Sequence, residues 1–99
     1  MADLYFSSTA GGNTSGDSGY CWFTDSGFTF PFGFTPTNGD NAYFQEGTAD
    51  SYSFTCDNVY VSGATLTTVN SGQTIASVTA GSITTNGGIV TSLSAGTTI

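Results

Sequence analysis

The sequence predicts an all-β protein: a small aromatic-cored β-sandwich or β-roll, followed by a Thr/Gly-rich β extension. Three observations carry this. Short alternating apolar runs bounded by Gly, Asn, Asp and Ser recur along the chain. Thr, Val and Ile together with fourteen glycines leave no stretch suited to a helix. Most of the aromatic mass is concentrated between Tyr20 and Phe44, which holds Trp22, Phe23, Phe28, Phe30, Phe32, Phe34, Tyr43 and Phe44. A ring buries roughly 150–250 Å², so the core has to be built mainly from this block.

Residues 3–8 form the first strand candidate, and residues 9–19 hold turn and loop residues only. This glycine-rich loop lacks the Gly-Lys-Ser/Thr step and the following helix that a phosphate cradle needs. Residues 20–24 are expected as a strand, with Trp22 on one side and Cys21 and Phe23 on the other. Phe28, Phe30, Phe32 and Phe34 then fall at every second position, the period that places four rings on one face of an extended segment. Pro31 and Gly33 make that segment a sheet edge or an extended arm. The rings either pack into the chain's own core or anchor it to a neighbour. Asn38-Gly39 predicts a type I′ turn, residues 41–45 a strand, and residues 51–56 a further strand with Tyr52, Phe54 and Cys56 on one face.

The character changes near residue 58, which divides an aromatic-rich β domain (1–58) from a Thr/Ser/Gly-rich extension (59–99). Gly63, Gly72 and Gly81 recur at intervals of nine, followed by Gly87, Gly88 and Gly96. Ile75, Val78, Ile83, Ile89, Leu93 and Ile99 offer only a thin apolar line beside Thr65, Thr67, Thr74, Thr84, Thr97 and Thr98. One rung of such a structure cannot bury its face alone, so stacking on neighbours is required.

There is no Lys, Arg or His, and seven acidic residues give a net charge of −7. Nucleic acid and anionic membrane are therefore unsuitable partners, because phosphate binding relies on basic side chains. Without His or Lys, and with no recognisable carboxylate pair, no catalytic residue, cofactor site or metal site is assigned. Asp40 and Asp57, each followed by Asn, could offer oxygens to calcium, but no EF-hand loop is present and a turn-forming role fits better. Cys21 and Cys56 are too few for a zinc site. Without a basic leader and apolar run at the start, folding in a cytoplasm with both thiols free is expected.

The Ala2-Asp3-Leu4-Tyr5-Phe6 start, the aromatic strand with Trp22, the step from Pro36 through Asp40 to Phe44, and the Thr/Gly/Val tail resemble tailed-phage virion structural proteins. The resemblance implies a structural virion protein with no catalytic residues, located in the virion and assembled in the host cytoplasm. A capsid decoration (cement) protein comes first: a homo-oligomer bound to the major capsid protein or other virion proteins, with Phe28, Phe30, Phe32 and Phe34 at the interface. A tail or tail-fibre component is the alternative. A surface adhesin or an ice- or glycan-binding β-solenoid is a third.

Overall fold

The architecture comes from a computed structural model that describes residues 2–78 and 82–93. Among the described residues nine strands follow in order: β1 (Asp3–Ser7), β2 (Trp22–Phe23), β3 (Asn41–Ala49), β4 (Asn58–Val61), β5 (Ala64–Leu66), β6 (Thr68–Asn70), β7 (Thr74–Ile75), β8 (Thr84–Asn86) and β9 (Ile89–Val90). The all-β expectation holds. Apart from the antiparallel pair of β1 with β2, these strands pair in parallel. Parallel neighbours need a crossover of a dozen or more residues, usually a helix. Here the crossover consists of further short extended runs, and the chain winds as a parallel coil.

Register gives the length of each turn. Asn41 lies opposite Asn58, Thr68 opposite Thr84 and Thr74 opposite Ile89, offsets of 17, 16 and 15 residues. The first turn is far longer, since Asp3 lies opposite Asn41. The excess is the aromatic insertion, which supplies β2 and closes that end of the coil.

Alternation along the strands sorts side chains inward and outward. Leu4, Ala42 and Val59 form one inner column, and Phe6, Phe44 and Val61 another; all six are buried. Outside, Tyr5, Tyr43 and Tyr60 stack with ring centroids 5.0 and 4.9 Å apart, close to the spacing of the strands that carry them. Beside them runs a polar column in which Asn58 Nδ2 donates to Asn41 Oδ1 (3.0 Å) and Asn41 Nδ2 donates to Asp3 Oδ1 (2.8 Å). Position 58/59 falls inside β4, which is paired along its length to β3.

Several local expectations are corrected. A one-turn helix, α1 (Ser8–Gly11), follows β1: the Ser7 hydroxyl accepts from Ala10 N–H at 3.0 Å, and Gly12, at φ 78°, ends the turn. These are the ordinary start and stop devices of a helix. Residues 19–21 form a 3₁₀ turn, so the strand expected from residue 20 starts only at Trp22. Residues 51–56 make no strand beyond a single bridge at Ser51. In the 37–40 turn Gly39 takes the positive φ and Asn38 does not, as in a type II rather than a type I′ turn. Gly63 and Gly72 mark two different corners of one coil, so their spacing of nine is not the repeat of the structure. Gly81, Gly96, Thr97, Thr98 and Ile99 lie outside the described residues.

Candidate functional site

The insertion is anchored by Trp22. Its ring is fully buried and meets Phe6, Phe44 and Phe54 edge-on at 5.1–5.5 Å, while its indole N–H donates to the Gly16 carbonyl at 2.9 Å. A buried indole requires such a partner, and this one ties the 12–18 loop over the end of the coil. Tyr52 and Cys21 are buried in the same cluster.

From Trp22 the chain runs out as a hairpin. Phe32 N–H donates to the Trp22 carbonyl (2.8 Å), Thr24 N–H donates to the Phe30 carbonyl (2.9 Å), and Phe23 bridges Pro31. The loop between is held by Asp25, whose carboxylate accepts from Phe30 N–H at 2.8 Å and Thr29 N–H at 3.0 Å. These bonds, the one from Phe30 foremost, hold the Asp25 carboxyl below the usual carboxylate range.

The four phenylalanines do not form one row. Phe28 adopts φ 55°, a left-handed conformation rare for an aromatic residue, and folds its half-buried ring onto Phe23 at 5.6 Å. Gly33, at φ 86°, turns the chain between Phe32 and Phe34. Two left-handed residues in seven break the two-residue alternation that an extended segment needs. Phe32 packs against the core, whereas Phe30 and Phe34 are 64 % and 72 % exposed. Tyr20, which the sequence reading left out of the site, is 79 % exposed. It follows Gly19, which lies so close to residues 33–34 that a Cβ there would collide with the Gly33 carbonyl oxygen. Tyr20 and Phe34 thus stand on adjoining segments.

Each of the seven carboxylates accepts a hydrogen bond from the chain itself. Asp3 takes Asn41 Nδ2, Asp17 takes Ser53 N–H, Glu46 takes the Ser7 hydroxyl and Asp50 takes the Thr14 hydroxyl. Asp40 takes Thr37 N–H, Asp57 takes Gly39 N–H, and Asp25 is engaged as above. They pin loops to strands. Among the described residues no three of His, Cys, Asp and Glu gather as a metal site. Cys21 and Cys56 are free thiols not joined in a disulfide, and burial pushes both upward, which lowers their nucleophilic fraction. A scan against family models, a search of curated proteins and a search of solved structures each return no match.

Proposed function

We propose that the chain is a structural virion protein, most specifically a capsid decoration protein that attaches to the outside of a phage head through its aromatic end cap. The observation that supports this reading is the set of exposed rings Tyr20, Phe30 and Phe34, carried by the 19–21 turn and by the hairpin that flank the buried Trp22. Rings presented on a rigid support lose little conformational freedom on docking, and aromatic anchors dominate many interfaces. The chain carries no basic group, so any charge attraction comes from Lys or Arg on the partner, the major capsid protein or another virion protein. The coil acts as the rod behind the cap. Phe30→Ala and Phe34→Ala should fold, and should lower occupancy on particles lacking the native protein. Full occupancy by both folded variants would remove the aromatic cap from the mechanism. Copy number separates head from tail: hundreds of copies per particle fit the head, a few dozen a tail or fibre.

Parallel pairing of Thr48 with Thr65 and of Thr68 with Thr84 favours, as a second reading, an ice- or glycan-binding solenoid or a surface adhesin. Thermal hysteresis or glycan-array binding that survives loss of Phe30 and Phe34 would select it.

A further inference from the structure

We propose that the aromatic cap is an arginine-recognition surface: guanidinium groups of the partner stack on Tyr20, Phe30 and Phe34, and the Asp25 carboxylate accepts from one of them. This rests on the cap being the attachment site and names the chemistry it attaches to. Strand addition is closed to the partner. Along residues 28–32, Phe28 N–H donates to the Asp25 carbonyl, Thr29 and Phe30 N–H donate to the Asp25 carboxylate, and Phe32 N–H donates to the Trp22 carbonyl. Pro31 has no N–H at all. A run with every N–H already committed cannot take a further strand. Pro31 stands between Phe30 and Phe32, whose backbones face Thr24 and Trp22, so its own carbonyl turns to the far side. Contact at the cap therefore falls to side chains and to acceptor groups.

Charge complementarity selects the occupant. The three exposed rings present π faces, the negative side of the aromatic quadrupole. The Asp25 carboxylate, bonded to the N–H of Phe30, stands at the root of one ring; its two oxygens offer about four acceptor sites, of which the bonds from Thr29 and Phe30 use three. Rings, carboxylate and carbonyl are all electron-rich. They fit a cation that is flat, apolar on its faces and rich in donors. Guanidinium is planar and weakly hydrated, donates from every nitrogen and accepts nothing, whereas an ammonium is compact and strongly hydrated. A second copy of this chain cannot supply the cation, because no Lys, Arg or His occurs in it. Nucleic acid brings more negative charge. A protein surface bearing arginine is the occupant that remains.

The test is calorimetric titration of the purified full chain with hexa-arginine and, separately, with hexalysine, two peptides of equal charge. The wild type should bind hexa-arginine about tenfold more tightly, at about threefold for each exposed ring that stacks. Phe30→Ala and Phe34→Ala keep every charge on the protein, and each should remove about threefold of that preference. Should either variant lose its far-UV circular dichroism, Phe30→Leu and Phe34→Leu carry the same comparison, because leucine keeps apolar contact and lacks a π face. Equal affinity for the two peptides, or an arginine preference that survives loss of both rings, would overturn the proposal. Occupancy on particles separates it from the attachment reading. A wild type that occupies particles without preferring arginine overturns this chemistry and leaves the attachment site standing; one that prefers arginine and does not occupy particles supports the chemistry and removes the virion reading.

Discussion

The two ends of the coil share a backbone and differ in what fills it. Around β1 and β3 the interior is Phe6, Trp22, Phe44 and Tyr52; around β6 to β9 it is Val69, Ile75, Val78 and Ile83. The turn also shortens along the chain: 17 residues between β3 and β4 and between β3 and β5, 16 between β6 and β8 and 15 between β7 and β9. A smaller interior tolerates a shorter perimeter, and the shortest turns are those lined by Val and Ile. The difference also explains the insertion. A wide aromatic interior left open at its end would expose ring faces, and the 12–34 segment covers them by adding Trp22 to the stack.

The largest way to break this comparison is Trp22→Ala. The substitution leaves a void among Phe6, Phe44 and Phe54 and strips the Gly16 carbonyl of its donor. Removal of a buried aromatic side chain costs about 3–5 kcal/mol, a large part of the roughly 5–15 kcal/mol that holds a domain folded. Urea denaturation should show a loss of that size; a loss below about 1 kcal/mol would mean that the ring does not support the wide end. Ile75→Ala tests the narrow end. Ile75 is fully buried in β7, opposite Val90. A loss of about 2 kcal/mol is expected, the low end for such a truncation, because a site lined by small residues can close partly around it. Hydrogen exchange should rise within residues 58–78 while Trp22 fluorescence stays put. A shifted tryptophan spectrum would show that wide and narrow turns melt as one unit.

Much of the strand content is legible because inward and outward residues alternate in β1, β3 and β4. The coil left a fainter mark. Asp3-Leu4-Tyr5-Phe6, Asn41-Ala42-Tyr43-Phe44 and Asn58-Val59-Tyr60-Val61 are one tetrapeptide pattern used three times, and they become the stacked rungs of the Asn and Tyr columns. The spacing of nine competes with that signal, and Gly63 and Gly72 stand at corners instead of rungs. The aromatic row failed for a different reason. A strict two-residue period presumes extended backbone, and Phe28 and Gly33 leave it; the Asp25 carboxylate that fastens the loop bonds to N–H groups four and five residues on, a contact no periodicity reveals. Tyr20 reads as a strand residue in sequence, whereas the 3₁₀ turn leaves it exposed.

Alkaline pH should act on the wide end first. Burial raises the proton affinity of Cys21, Cys56 and Tyr52, and none of these groups belongs to residues 58–93. Below the unfolded thiol pKa of about 8.5 both states hold these protons and the stability is fully present. Above it the unfolded chain ionises while the folded one retains its protons, so stability falls as pH rises, with Tyr52 adding to the loss above about 10. Denaturation midpoints at neutral pH, and at several values above the thiol range, should therefore decline. Exchange should accelerate around residues 20–23 and 52–56 before the narrow turns. A flat profile would mean that these groups are not shielded from water.

The smallest effect on stability, and the one that separates folding from attachment, belongs to the cap. Phe32 packs against the core and meets Phe34 edge-on at 5.9 Å, so Phe32→Ala removes burial on the inner side of the hairpin. Phe30 and Phe34 already spend most of their surface in water, and truncating an exposed side chain away from special features stays within about 0.5 kcal/mol. Phe30→Ala and Phe34→Ala should therefore melt close to the wild type, and Phe32→Ala clearly below it. Their order reverses in attachment: the two silent truncations weaken binding to the particle, at about 2 kcal/mol for a ring that enters a pocket. High salt should weaken the wild-type complex less than either truncation does, since screening acts on charge and the anchors are apolar. Release of wild type by moderate salt, with Phe30→Ala and Phe34→Ala bound as before, would assign attachment to the acidic loops instead of the rings.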